Sequence, residues 1–182
     1  MTPGAGARPP AGCPGVIVVM GVAGAGKTTV GRALAASLGR AFHDADDFHP
    51  AANVARMRAG IPLTDADRAP WLDALRALVA RCLTDGTPAV LACSALREAY
   101  RTALLPAGVV PTRVRFVFLD VTPTTAERRL AARANHYMPA SLLDSQFATL
   151  EAPTEAPHAA LRVNAEWPVE ALVAEARQAF GC

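Results

Sequence analysis

Apolar and polar positions along this chain fall into blocks of two different periods. Val16-Ile17-Val18-Val19-Met20 is a continuous, mostly β-branched run bounded by glycines, the pattern of a parallel strand covered on both faces. After Lys27 the spacing lengthens to that of a helix, with Leu34 and Leu38 on one face and Gly39 as the stop. Shorter apolar runs recur at Ala41-Phe42, 89–93, 114–119 and 161–163. Between and after them, helical spacing or Pro, Ser and Thr start signals mark 70–84, 95–105, 124–134, 141–149 and 168–180. Strands alternating with helices predict an α/β fold with a parallel sheet of about five strands.

Length and charge narrow the picture. At 182 residues and 52% hydrophobic, the chain is large enough for one core and short for two domains. Residues 1–14, rich in Pro, Gly and Ala, read as a disordered lead-in, and 15–182 as a single domain. A formal net charge of +2 supplies no field for nucleic acid or an anionic membrane, so neither is an expected partner. The cysteines at 13, 82, 93 and 182 are far apart, with no metal-ligand spacing and no hint of a disulfide framework, which fits a reducing cytoplasm. The uncharged stretch from Pro9 to Gly26 is too broken by Pro and Gly to serve as a secretion signal.

The strongest chemical signal lies between the first strand and the first helix. Gly21-Val22-Ala23-Gly24-Ala25-Gly26-Lys27-Thr28 matches GxxxxGK[ST], and Thr29 continues it into the helix. Glycines let successive N–H groups converge on a polyphosphate, the helix N-terminus adds its positive end, and Lys27 neutralises phosphate oxygens. The Thr28 hydroxyl is placed to serve Mg²⁺. Lys27 is the chain's one lysine among eighteen cationic side chains, so arginine stands wherever charge alone is required. A guanine-reading Asn-Lys-x-Asp motif needs a second lysine and is therefore excluded.

An acidic pair follows the second strand. If that strand continues through His43-Asp44-Ala45-Asp46, the two carboxylates point to one face at its C-terminal end, where open parallel sheets bind ligands. Phosphoryl transfer to an alcohol needs one anion for Mg²⁺ and one carboxylate to orient the attacking hydroxyl; Asp44 and Asp46 are the respective candidates. Asp120, closing Phe116-Val117-Phe118-Leu119-Asp120, competes with Asp44 as the metal carboxylate.

Beyond the phosphate loop, four stretches carry a resemblance. The segment Asp46-Asp47-Phe48-His49-Pro50-Ala51-Ala52-Asn53 reads DDxHPxxN, and Gly60-Ile61-Pro62-Leu63-Thr64-Asp65-Ala66-Asp67-Arg68-Ala69-Pro70-Trp71 reads GxPLxDxDRxPW. Cys93-Ser94-Ala95-Leu96 and Ser145-Gln146-Phe147, with Leu150-Glu151, follow in order. Together they resemble the bacterial gluconokinases over residues 16–180. The resemblance implies a P-loop three-layer sandwich related to shikimate and nucleoside-monophosphate kinases, with a small helical lid over about 124–145. It also implies transfer of the ATP γ-phosphate to O6 of D-gluconate, with Mg²⁺ as cofactor, and a homodimer. Phe48, Ala45 and Asn135-His136-Tyr137 depart from the family's usual Leu, Gly and Gly-His-Phe.

An aldonate acceptor asks for an arginine fork at its carboxylate and polar groups along its hydroxyls. Arg68 is the leading clamp, Arg97 the second and Arg56 a weaker third; His49 is a hydroxyl partner, with Asn53, Ser94 and His136 as further acceptor-side candidates. Ser94 serves equally well as a helix N-cap, and Trp71 reads as core. Arg129 and Arg133 share a helix face and are expected to close over ATP as lid arginines, Arg133 acting on the transferred phosphoryl group. The alternatives are a sister kinase acting on shikimate or a nucleoside monophosphate, and an ATP-binding module that transfers nothing.

Overall fold

Five strands form one wholly parallel sheet in the order β2-β3-β1-β4-β5: β1 Val16–Met20, β2 Ala41–Asp44, β3 Ala89–Ala92, β4 Val114–Asp120 and β5 Ala160–Asn164. The computed structural model describes residues 12–132, 140–153 and 160–182. Seven helices occur among them: α1 Lys27–Leu38, α2 Ala51–Arg58, α3 Asp65–Thr84, α4 Glu98–Ala103, α5 Pro123–Ala131, α6 Ala140–Thr149 and α7 Val169–Phe180. None is long and apolar enough to cross a membrane.

The central strand shows why the sheet needs cover on both sides. Ile17 and Val19 face a core built with Leu34 of α1, Leu130 of α5, Leu143 of α6 and Leu172 and Phe180 of α7. Val16, Val18 and Met20 face the opposite core, against Trp71, Leu75 and Val79 of α3 and Leu104 beyond α4. All five β1 residues are buried, as period-two alternation with apolar residues on both faces requires. The result is the expected three-layer α/β sandwich. β1 and α1 occupy the predicted limits, and β1 delivers the phosphate loop at the sheet's C-terminal edge.

Helix α2 is not among the predicted elements, and three others differ from expectation. β2 stops at Asp44, whose carboxylate caps a 3-10 turn over Ala45–Phe48 by accepting the Asp46 N–H, so Asp44 and Asp46 are not strand neighbours of one face. The helix expected from Pro70 begins five residues earlier. Thr64 and Asp67 cap α3 reciprocally, and that capping box sets the start while Pro70 sits inside the helix. α4 begins at Glu98, with Arg97 in the cap position, so Ser94 caps no helix.

The cysteine reading is corrected as well. Cys13 and Cys182 form a disulfide with Cα atoms 5.0 Å apart, and Arg40 donates to the Cys13 sulfur at 2.6 Å. Their separation of 169 residues hides the pairing from spacing rules, since α7 returns the C-terminus to the start of β1 only in the fold. Cys13 and Pro14, the last residues of the expected lead-in, are buried. Cys82 and Cys93 are free and buried.

Candidate active site

The loop from Gly21 to Gly26 turns tightly beneath the N-terminus of α1. Gly24 has φ +79°, and a Cβ there would sit 2.5 Å from the Ala126 carbonyl oxygen, so α5 packs against the loop backbone with no room for a side chain. Gly26, at φ +99°, turns the chain into α1, whose start carries no side-chain cap and no acidic residue. Unshielded N–H groups and a positive dipole end thus face the loop's concavity. Lys27 folds back over it, donating to the Val22 carbonyl at 3.0 Å.

Across this concavity the Thr28 hydroxyl donates to Asp44 Oδ2 at 2.8 Å. Asp120, the competitor, is held instead by two bonds from Arg162, at 2.6 and 2.9 Å, between β4 and β5. Burial pushes the Cys93 thiol up to about 12; the charge of Lys27 opposes the rise, while Asp46 and Asp44 add to it. A single buried sulfur just beyond β3 therefore feels Lys27, Asp44 and Asp46 together. The strand-alternation argument for the acidic pair fails; Asp44 meets the loop through Thr28, and Asp46 follows it in the 3-10 turn.

On the far side of Asp46 lies a second group of side chains. His49 stacks on Trp71 with ring centroids 4.5 Å apart, and Trp71, itself buried, donates its indole N–H to the Ala45 carbonyl at 2.7 Å. Burial lowers the His49 pKa, Arg68 adds to that, and Asp46 works against it. Its Nδ1 is buried without a hydrogen-bond partner. The guanidinium groups of Arg68 and Arg97 lie 5.4 and 5.6 Å from the Tyr100 ring centroid. Asp65 draws this group together: it accepts from the Tyr100 hydroxyl at 2.5 Å and pairs with Arg97 at 3.1 Å and Arg68 at 3.7 Å. These contacts hold the Asp65 carboxyl below its ordinary range, the Tyr100 hydrogen bond first.

Other candidates are spent on structure. Asn53 is buried and donates to the Asp67 carbonyl at 2.7 Å, and Arg56 pairs with Asp67 at 3.5 Å; both tie α2 to the start of α3. Ser94 accepts the Gly21 N–H through its backbone oxygen at 3.3 Å, which lashes the β3 exit to the phosphate loop. Arg129 does not swing free: it donates to the carbonyls of Ala25 at 3.2 Å and Ala165 at 2.8 Å. Arg133 and His136 lie outside the described residues.

Beside Arg129 opens a cavity of about 280 Å³ lined by Gly24, Gly26, Thr29, Ala165, half-exposed Trp167 and Val169. Its floor is the phosphate loop and its wall the β5–α7 connection, where an apolar, planar group attached to a polyphosphate would fit. Sequence reasoning missed Trp167 and Ala165, which belong to no motif, and also Tyr100 and Glu151, which act by holding arginines; Asp65 was legible as an ion-pair neighbour of Arg68, and its reach to Arg97 was not. Glu151 accepts the Glu98 N–H at 2.7 Å and pairs with Arg97 at 3.6 Å. The one available signal for Glu151 was its position inside a resembling segment.

With this geometry in place, comparison with known proteins is informative. The AAA domain family matches residues 16–157. A gluconokinase of Gluconobacter oxydans (strain 621H) is 48% identical over 140 residues, covering 77% of each chain. The crystal structure of a gluconokinase from Sinorhizobium meliloti 1021 superposes with a TM-score of 0.79 at 40% identity, over 92% of both chains. A shikimate kinase structure from Bacteroides thetaiotaomicron, at 17% identity and TM-score 0.62, shares the fold. The match of the phosphate loop, the acidic turn and the Asp65–Arg68 segment in one cleft agrees with these relationships, and the chain belongs to the gluconokinase family.

Proposed function

We propose that this chain is an ATP-dependent gluconate kinase that transfers the γ-phosphoryl group to O6 of D-gluconate, giving 6-phospho-D-gluconate. The observation that carries the reading is the bond from Thr28 to Asp44 across the mouth of the phosphate loop, with His49 and two tyrosine-flanked arginines on the adjoining side. One half of the cleft suits a triphosphate. The other suits an anion with hydroxyls.

Lys27 and the N-terminus of α1 bind the phosphate oxygens, and Arg129 and Trp167 border the base. The oxygen donors of Thr28 and Asp44 fit a hard cation such as Mg²⁺. Among the described residues no three His, Cys, Asp or Glu side chains form a cage of their own, which agrees with an ion that shares its shell with phosphates and water. Such an ion, when bound, neutralises charge on the phosphate oxygens. Asp46 orients the O6 hydroxyl and accepts its proton as the bond to phosphorus forms. Arg68 and Arg97 hold the carboxylate end, and His49, kept neutral by burial, meets hydroxyls as donor or acceptor. The family resemblance supports a homodimer.

The deciding experiment is a coupled assay with ATP, Mg²⁺ and a panel of gluconate, other aldonates, shikimate and nucleoside monophosphates. Gluconate is expected to turn over fastest. Turnover of shikimate or a nucleoside monophosphate alone rejects the substrate, and nucleotide binding without any acceptor turnover rejects the kinase.

A further inference from the structure

One side chain of the Ser145-Gln146-Phe147 segment touches the phosphate loop. Gln146 Oε1 accepts the Ala23 N–H at 2.7 Å, a contact between residues 123 positions apart. Because the loop N–H is the donor, the amide oxygen must face it and the Gln146 NH₂ must face away. Five residues on, Glu151 is locked to the acceptor side. Its backbone N–H donates to the Leu96 carbonyl at 2.9 Å, its own carbonyl accepts from buried Arg101 at 3.0 Å, and its carboxylate takes the Glu98 N–H and pairs with Arg97. Between these ends Phe147 packs against one core and Leu150 touches both, while Leu143, one turn before Gln146, is buried in the first.

We propose, building on the kinase reading above, that residues 146–151 form a rigid strut fixing the phosphate loop at a set distance from Arg97, and that Gln146 is a positioning residue for phosphoryl transfer. The chemistry needs the triphosphate and the acceptor in line, and the loop and Arg97 lie on different strand exits, tied once by the bond from the Gly21 N–H to the Ser94 carbonyl. One short segment bonded to both adds a second tie at a distance from the first, which fixes their separation and not only their attachment. Gln146 acts through the Ala23 peptide; it touches no reacting atom.

The test compares Gln146→Met with Gln146→Ala. Met fills similar space and accepts no strong hydrogen bond, so a role in packing alone is rescued by Met and a role in positioning is not. Both variants are expected to lower kcat about 10- to 100-fold while the gluconate KM stays nearly unchanged. Hydrogen exchange, read by mass spectrometry on peptides spanning residues 21–26 of the free protein, is expected to be about tenfold faster in both. Wild-type kcat in Gln146→Met overturns the proposal, as does unchanged exchange in the loop. The exchange measurement needs no acceptor, so a wild-type protein inert toward gluconate defeats the substrate reading while the strut is still judged on the loop.

Discussion

At the scale of single residues, the cleft is a set of charges whose neighbours decide their use. Asp44 is already engaged by the Thr28 hydroxyl and by the Asp46 N–H, and the proton-accepting role in the proposed reaction falls to Asp46. Asp46→Asn is expected to lower kcat by about 10²- to 10⁴-fold with the KM for ATP little changed; full turnover in that variant removes Asp46 from the proton-accepting role. His49 gives a pH dependence with a definite sign. Its folded-state pKa lies below the ordinary 6.5, through burial first and Arg68 second, so the unfolded chain takes up that proton more readily. Its contribution to stability is complete above pH 6.5 and is lost as pH falls through the lowered folded value. The neutral ring that faces the acceptor is lost over the same range. kcat/KM for gluconate is therefore expected to drop on the acid side, and His49→Gln, which keeps a donor and an acceptor without titrating, is expected to flatten that limb. An identical acid limb in the variant assigns it to another group.

Elements explain why some of this was legible and some was not. β1, the loop and α1 are local: a β-branched run, a glycine cluster and a Gly39 stop each act on their immediate neighbours, so sequence pattern and structure coincide there. The start of α3 was misplaced because Pro70 carries a strong local signal, and Thr64 with Asp67 carries a stronger one through two reciprocal bonds. The acidic pair was assigned to a strand because alternation is readable and a carboxylate closing a 3-10 turn is not. Residues brought in from remote elements were the hardest. Asp65 at the head of α3, Tyr100 in α4 and Glu151 beyond α6 each hold an arginine; Asp65 is readable beside Arg68, but only the fold brings Asp65 and Glu151 to Arg97. Their arrangement bears on specificity, since Arg68 and Arg97 approach one ring from two elements. Removing either as Ala is expected to raise the gluconate KM, by roughly 10- to 150-fold if the lost contact is a charge-assisted hydrogen bond of about 1.5–3 kcal/mol, with the ATP KM held. A larger change for ATP than for gluconate places the carboxylate clamp elsewhere.

Over the whole molecule, the two ends of the sheet do different work. The phosphate and acceptor groups gather where β1, β2 and β3 end, whereas the Cys13–Cys182 disulfide lies at the opposite edge, three residues ahead of β1 and two beyond α7. The five residues of β1 separate these regions by about 16 Å at the usual strand rise. The bridge closes almost the entire chain and ties α7 to the strand it covers. A long closed loop restricts the unfolded chain strongly, and a native bridge of this kind is worth about 2–4 kcal/mol. Cys13→Ser, or reduction of the wild type, is expected to lower Tm by roughly 4–16 °C for a domain of this size. Because α1 packs on α7 yet opens at the other edge, kcat and the KM for gluconate measured well below the new Tm are expected to match the oxidised protein. Loss of turnover with Tm intact would show strain reaching the phosphate loop through α1, and an unchanged Tm would mean that buried Cys13, Pro14 and Phe180 hold that edge closed without the bridge.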